Sequence, residues 1–198
     1  MNTAPYTFIF FGLAGSGKGT QVELLEVYLR EKGITTDVVF ASPGSEYRQL
    51  ISSGSYTGDV VKNFTDKGML LPDFLTTSLV VSSIASKITN DSCIIADGYP
   101  RTVPQSEALE QALSFYGRLG AHIIYIEVGK EEAMKRMKLR ARSDDTDESI
   151  AKRFDSYVAE VLPAMEYFKN KDGYTIHTIN GEQSIEAVHA EIITTIGL

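Results

Sequence analysis

Residues 12–20, GLAGSGKGT, have the types and spacing of a loop that binds phosphate. They fit the pattern G-x-x-x-x-G-K, but Gly19 follows Lys18, so the first hydroxyl comes one position later, at Thr20. Glycines let the backbone curl until its N–H groups point at phosphate oxygens, at the positive end of a helix dipole. Lys18 adds a full positive charge. An apolar run precedes the stretch and a helical pattern follows it, which is the context that such a loop requires.

A second set of residues suited to phosphate chemistry follows the apolar run CIIA. Asp97 ends that run, and a carboxylate there can face Mg²⁺ directly or through water. Arg101 comes soon after, on a turn that Pro100 stiffens. Farther along, Arg136 and Arg140 are four residues apart and therefore share one face of a helix. Phosphoryl transfer needs aligned oxygens and neutralised charge more than covalent help, so these side chains are suited to it.

Composition limits the class of protein. The chain has 198 residues, 43% apolar and 23% charged, which fits one buried core with small insertions. A net charge of −7 argues against a nucleic-acid partner. Cys93 is the only cysteine, which excludes an internal disulfide and a four-cysteine zinc site, and its apolar neighbours predict a buried thiol. The histidines His122, His177 and His189 show no metal-ligand spacing and are expected to be surface or core residues.

The sequence shows neither a leader peptide nor a membrane span. Its first residues lack a charged start followed by a long apolar run, and no apolar run approaches roughly 18 residues. We therefore expect a cytoplasmic enzyme that has no membrane partner.

Short apolar runs alternate with longer helical patterns along the chain. The runs are rich in Val, Ile, Phe and Tyr and end at Gly, Asp or Asn, as strands do. Several are almost continuously apolar, which suits a parallel sheet covered on both faces. The alternation predicts an α/β fold with right-handed crossovers. The predicted strands are residues 6–12, 35–41, 93–98, 121–129 and 174–180.

Two regions interrupt this alternation. Residues 42–72 are too long for a strand connection and contain short helical stretches separated by glycines, which predicts a small inserted subdomain. Residues 134–154 are rich in arginine and acids. One helix there is expected to end near Ala141, and Asp145, with Glu148 three places on, predicts the N-cap of the next.

The chain resembles the adenylate kinase family over essentially its whole length. In GLAGSGKGTQ, Gly follows Lys and Thr comes next, as in that family's phosphate loop, although Ala14 stands where the family usually has Pro. DGYPRTVPQSEAL (97–109) matches the family's second signature. GMLLPDFL (68–75) matches the segment that closes its monophosphate subdomain, and RARSDDTDESIAKR (140–153) matches the arginine-rich lid of short members.

The resemblance implies a fold and a division of the chain. The implied fold is α/β, a three-layer sandwich of the P-loop NTPase type with five parallel strands in the order 2-3-1-4-5. Residues 1–198 would form a single nucleoside monophosphate kinase domain. Within it, residues 42–72 would bind the monophosphate, residues 136–153 would form a very short lid, and the remainder would be the core.

The resemblance also implies roles for the matched residues on the ATP side. Arg101 would bridge the phosphates of both substrates, Arg136 would stack on the ATP base, and Asp144 and Asp145 would hold the lid arginines. The implied catalytic residues are Lys18, Asp97, Arg101, Arg140, Arg142 and Arg153. The implied ATP-binding residues are Gly15, Ser16, Gly17, Lys18, Gly19, Thr20, Arg136 and Arg140.

On the acceptor side, Arg48 matches the arginine that binds the AMP phosphate, and Gln105 matches the glutamine that reads the adenine edge. Pro43 and Ser45 stand where the family typically has Thr and Asp. Pro43 has neither a side-chain donor nor a backbone N–H with which to replace the contacts of that Thr. The implied AMP-binding residues are Arg48, Leu70, Leu71, Gly98, Arg101, Gln105, Arg142 and Arg153.

These roles imply an adenylate kinase, which converts MgATP and AMP to two ADP, with Mg²⁺ near Asp97, no structural zinc and a monomeric state. Three alternatives stay open. A UMP/CMP kinase usually has Asn where Gln105 stands. A switch-type GTPase would need a hydroxyl directly after Lys18 and an N-K-x-D motif, and the sequence has neither. A catalytically dead relative would not be expected to keep Lys18, Asp97 and Arg101.

Overall fold

A computed structural model describes residues 5–118, 120–140 and 146–198 of the chain. Strands in this part lie at or within the predicted apolar runs: β1 (Thr7–Phe11), β2 (Val38–Ala41), β3 (Cys93–Asp97), β4 (Ala121–Glu127) and β5 (Tyr174–Asn180). They form one all-parallel sheet in the order β2-β3-β1-β4-β5. The predicted α/β class and the strand order are therefore both confirmed.

Helices connect the strands. They are α1 (Lys18–Glu31), α2 (Pro43–Ser52), α3 (Tyr56–Asp66), α4 (Asp73–Lys87), α5 (Val103–Phe115), α6 (Lys130–Arg140), α7 (Asp147–Ser156), α8 (Leu162–Glu166) and α9 (Ile185–Ile196). A π-helical turn, Tyr157–Val161, joins α7 to α8. Within the described ranges, none of these helices is long and apolar enough to cross a membrane.

Alternate residues of β1 supply the two hydrophobic clusters that cover the faces of the sheet. Phe8 and Phe10 pack with side chains of α1, α6, α7 and α9. Ile9 and Phe11 pack with side chains of α4, α5 and α8. Because a strand points successive side chains to opposite faces, an unbroken apolar run is what a central strand of this sandwich requires. Cys93 is buried in the first cluster, as predicted.

Residues 42–72 form the helix pair α2 and α3, followed by the segment that leads into α4. Ser55 is the N-cap of α3, where its hydroxyl accepts a hydrogen bond from the N–H of Gly58 at 3.1 Å. The two helices cross very closely at Gly58, since a Cβ added there would lie 2.1 Å from the carbonyl oxygen of Leu50. Only glycine permits this approach.

The start of α7 differs from the prediction by one residue. Thr146, not Asp145, is the N-cap, and its hydroxyl accepts a hydrogen bond from the N–H of Ser149 at 3.2 Å. Both residue types cap helices well, so the sequence could not decide between two adjacent candidates. Asp145 itself lies outside the described residues.

Candidate active site

The carboxyl end of β1 opens into the glycine-rich loop that precedes α1. Gly12, Gly15 and Gly17 have φ angles of 146°, 87° and 94°, in a region that favours glycine. Lys18 is the first residue of α1, and its Nζ donates to the carbonyl oxygens of Gly12 at 2.6 Å and Leu13 at 2.9 Å. The lysine therefore reaches back over the loop, with its ammonium group close to the start of a helix.

This loop packs directly against α6. A Cβ added to Gly15 would lie 2.5 Å from the carbonyl oxygen of Ala133, so the position leaves no room for a side chain. Ser16 is buried, and within the described part of the chain its hydroxyl has no hydrogen-bond partner. A buried hydroxyl without a protein partner, in a loop of phosphate-binding shape, is suited to donate a hydrogen bond to a phosphate oxygen of a ligand. Gly19 and Thr20 follow in the first turn of α1 and are exposed.

Three of the predicted catalytic residues come together beside this loop. Asp97 ends β3 and is level with Phe10 of β1 in the parallel pairing, so it lies close to where the loop begins. Arg101 folds back over Gly98, donating from Nε to the Gly98 carbonyl oxygen at 2.8 Å. A Cβ on Gly98, whose φ is +70°, would lie 2.9 Å from Nη2 of Arg101. The guanidinium of Arg101 is attracted by the carboxylate of Asp97 and repelled by the charge of Arg153 in α7.

The arginine side chain of α6 that the structure describes is fixed by two partners. Arg136 donates from Nε to Glu132 at 2.8 Å and from Nη1 to the carbonyl oxygen of Gly181 at 2.9 Å. Its planar group is thereby oriented between α6 and the loop after β5. Arg140 is the last residue of α6, but its side chain is not described. The predicted site residues Arg142, Asp144 and Asp145 lie outside the described residues.

On the acceptor side, the predicted phosphate ligand Arg48 is exposed on α2, and its guanidinium lies beside Gly44. The neighbouring Tyr47 ties α2 to α4, because its hydroxyl is 2.6 Å from the Thr76 hydroxyl. Burial raises the pKa of Tyr47, which also interacts electrostatically with Arg101. Sequence reasoning did not identify Tyr47, and nothing in its type or spacing indicated this contact.

The two departures from the family lie at the start of α2 and do not disturb it. Ser42 is the N-cap and Pro43 the first helical residue, where a missing N–H leaves no helical hydrogen bond unmade. Ser45 donates from its hydroxyl to the carbonyl oxygen of Ser42 at 3.1 Å. In this chain Pro43 and Ser45 are therefore both compatible with a regular start of α2.

The end of the inserted region contacts α7, the second helix of the predicted lid. A Cβ added to Gly68, whose φ is +65°, would lie 3.1 Å from the Cβ of Ser149 in α7. Leu70 and Leu71 follow, and Leu71 is buried while Leu70 is partly exposed. The segment with the predicted AMP-binding residues Leu70 and Leu71 therefore lies close to α7, which carries Arg153.

Gln105, which the resemblance assigns to the adenine edge of AMP, is a buried residue of α5. It is only 2% exposed, and both ends of its amide already have protein partners. Oε1 accepts from the N–H of Arg101, and Nε2 donates to Oδ1 of Asp73, each at 2.8 Å. The hydroxyl of Thr102 donates to the same carboxylate oxygen at 2.8 Å. Asp73 was not identified from the sequence, although it stands in the matched segment GMLLPDFL.

Away from this site, adjacent strands bring two histidines together. Nδ1 of His122 and Nε2 of His177 are 3.0 Å apart, and the rings stack with centroids 5.2 Å apart. Burial lowers the pKa of both side chains. Among the residues that the structure describes, no group of three or more His, Cys, Asp or Glu side chains could hold a metal ion.

This sheet order, with a phosphate loop after its central strand and arginines gathered at its carboxyl edge, marks a phosphotransferase of the nucleoside monophosphate kinase class. The family model described as adenylate kinase matches residues 10–173. The chain therefore belongs to the adenylate kinase family.

Curated relatives cover the chain almost completely. The adenylate kinase of Bacteroides fragilis is 35% identical over 189 residues, which span 93% of this chain and 94% of the relative. That of Phocaeicola vulgatus is 33% identical over 192 residues, with 95% and 96% covered. That of Dehalococcoides mccartyi is 31% identical over 221 residues, with 96% and 98% covered.

Proposed function

We propose that this chain catalyses the reversible transfer of the terminal phosphoryl group of MgATP to AMP, which yields two ADP. The observation that carries the proposal is the position of Arg101. Its guanidinium is held over Gly98, near Asp97 and Arg153, beside the loop that carries Lys18. A cation in this place can contact the phosphates of a donor and of an acceptor at once.

The proposed chemistry is mainly positioning and charge neutralisation. A phosphate oxygen of AMP attacks the terminal phosphorus of ATP, and the bond from that phosphorus to the oxygen of the leaving ADP breaks. The N–H groups of residues 12–17 hold the donor phosphates, and Lys18 and Arg101 neutralise the charge that spreads over the transferring group. Arginine suits this role because it stays charged at every physiological pH.

Mg²⁺ fits the residues present as a companion of ATP. Asp97 offers a hard oxygen ligand at the loop, and Mg²⁺ typically takes one or two carboxylates together with phosphates and water. We propose that Asp97 holds the ion, mostly through water, and that the bound ion helps to neutralise the phosphates. We propose no structural zinc, because Cys93 is the only cysteine in the sequence.

For the acceptor we propose AMP over CMP and UMP, supported by Gln105 at its offset from Arg101. The runner-up is a UMP/CMP kinase, in which Asn is usual at this position. Residues 42–72 would hold the monophosphate. The proposed AMP-binding residues are Arg48, Leu70, Leu71, Gly98, Arg101, Gln105, Arg142 and Arg153.

For the donor we propose that the guanidinium of Arg136, fixed by Glu132 and Gly181, supports the ATP base. Residues 136–153 would form the short lid, in which Arg140 and Arg142 reach the phosphates and Asp144 and Asp145 hold those arginines. We also propose a monomer that works in the cytoplasm, which sedimentation and cell fractionation would test.

The test is a comparison of acceptors. AMP, CMP, UMP and dTMP are each incubated with MgATP at equal subsaturating concentration, and ADP formation is followed with the Lys18→Ala variant as a blank. We expect AMP to be phosphorylated fastest. Faster turnover of CMP or UMP would establish the runner-up, and no turnover of any acceptor would contradict the kinase proposal.

A further inference from the structure

Asp73, the first residue of α4, is connected to the catalytic arginine through Gln105. Its Oδ1 accepts from Nε2 of Gln105 and from the hydroxyl of Thr102, each at 2.8 Å. At the other end of the amide, Oε1 accepts from the N–H of Arg101 at 2.8 Å. Gln105 is 2% exposed, whereas Asp73 is partly exposed and Arg101 exposed, so the amide is the buried member of this network. Hydrogen bonds to a buried amide are costly to lose.

These partners leave the Gln105 amide one orientation. A carboxylate can only accept a hydrogen bond and a backbone N–H can only donate one, so nitrogen must face Asp73 and oxygen must face Arg101. In the flipped amide, oxygen would face oxygen and N–H would face N–H. Both hydrogen bonds would be lost in a buried place, where unsatisfied polar groups are costly.

We infer that Asp73 is a positioning residue that determines which purines the acceptor site takes; this rests on the proposed function, in which Gln105 reads the acceptor base. After its two bonds, the Gln105 amide keeps one N–H and one oxygen lone pair for a ligand. A 6-aminopurine offers the matching pair, a ring nitrogen that accepts and an amino group that donates. A 6-oxopurine offers the reverse pair and would need the flipped amide.

The base reaches this amide when the acceptor side rearranges around it. Gln105 is buried against Asp73 at the start of α4, and Tyr47 joins α2 to the same helix through Thr76. Closure around a substrate is the kind of movement that exposes and re-covers such a group. Asp73 is the first residue of α4, and Arg101 directly precedes Thr102, the N-cap of α5. As long as these two bonds persist, the amide keeps its orientation. Asp73 therefore affects which acceptor base is bound, and not how the acceptor phosphate is bound.

The test compares AMP with IMP, which differ at this edge of the purine. The quantity is the ratio of kcat/KM for AMP to that for IMP, at saturating MgATP. Asp73→Asn keeps the shape but replaces an obligatory acceptor with an amide that can also donate. The matched control is Asp59→Asn, which removes the same charge from the first turn of α3. We expect the ratio to fall about tenfold in Asp73→Asn and to stay within about twofold in the control.

Repeating Asp73→Asn in a Gln105→Leu protein distinguishes an effect of Asp73 on the orientation of the amide from an effect on the fold in general. In Gln105→Leu no amide remains to be oriented, so the ratio should already be low and Asp73→Asn should not lower it further. A merely structural Asp73 would reduce activity with both acceptors alike, and the ratio would not move. A ratio unchanged in Asp73→Asn, when Gln105→Leu does lower it, overturns the inference alone. A ratio unchanged in Gln105→Leu overturns the proposed reading of the acceptor base by Gln105, and the inference with it. A wild-type chain that does not phosphorylate AMP overturns the proposed function and the inference with it.

Discussion

Replacement of Gly58 by alanine tests the close crossing of α2 and α3. The added methyl carbon would lie 2.1 Å from the carbonyl oxygen of Leu50 and 3.2 Å from Cα of Ile51, both backbone atoms that cannot rotate away. Ordinary contact needs about 3.4 Å, so the helices must separate by roughly 1.3 Å. Overpacking of this kind costs about 1–3 kcal/mol, and the better helix propensity of alanine returns at most about 1 kcal/mol. A 2.1 Å approach to a backbone oxygen places the cost in the upper part of this range, at about 2–3 kcal/mol. After the return of about 1 kcal/mol, we expect Gly58→Ala to lose about 1–2 kcal/mol of unfolding free energy.

The assay is thermal unfolding followed by circular dichroism, together with steady-state kinetics. For a protein of this size the loss corresponds to a Tm lower by about 2–8 °C. The KM for AMP should rise severalfold while the KM for ATP changes little, because α2 carries Arg48. Gly44→Ala is the matched control in α2, since its Cβ would meet its nearest atom, Nη1 of Arg48, at an ordinary 3.5 Å. A Tm for Gly58→Ala equal to or above that of Gly44→Ala would refute the reasoning.

Three further predictions concern the site and the histidine pair. Arg101→Ala and Lys18→Ala should each lower kcat by on the order of 10²-fold or more with an unchanged far-UV spectrum, and near-normal turnover would mean that the site lies elsewhere. Gly98→Ala should lower kcat about tenfold at constant KM for ATP, because the new Cβ displaces the Arg101 guanidinium and strains a φ of +70°; wild-type kcat would contradict this contact. Burial lowers the pKa of His122 and His177 in the folded protein. As the pH falls below 6.5, the ordinary pKa of histidine, the unfolded chain therefore takes up protons before the folded protein does. The contribution of these two histidines to the free energy of unfolding should therefore be full above that pH and be lost progressively below it. The check is Tm measured between about pH 7 and pH 5, with a flatter profile in His177→Gln, and a level wild-type profile would disprove the effect.

The fold could be predicted from the sequence to the extent that it depends on local pattern. The apolar runs located all five described strands. The central strands are almost continuously apolar because both faces of the parallel sheet are covered, whereas β5, at the edge of the sheet, mixes apolar and polar residues. Their order was available only through the family resemblance, since periodicity says which residues are buried but not which strands are neighbours. His122 and His177 illustrate the limit, because they are 55 residues apart in the chain and adjacent only in the sheet.

In the candidate site, too, the features that depend on contiguous sequence could be predicted and those that depend on distant contacts could not. The glycine-rich loop could be predicted because loop, lysine and helix are contiguous in the sequence. The contact between Asp73 and Gln105 could not, because it joins residues 32 apart on two different helices. The fold-back of Arg101 depends on the backbone angles of Gly98, which residue types alone do not specify.

The π-helical turn Tyr157–Val161 determines how α7 is rotated about the helix axis relative to α8. An α-helix turns about 100° per residue, and a π turn acts as one inserted residue. Before the turn lies α7 with Arg153, and after it lies α8, whose Ala164 carbonyl oxygen accepts a hydrogen bond from the buried hydroxyl of Ser106 at 2.9 Å. If the same residues adopted α-helical winding, the extra residue would swing Arg153 through about 100° about the helix axis, away from Arg101, with every side chain in the site intact. The π winding of this segment is therefore as much a determinant of the site as the identity of its residues.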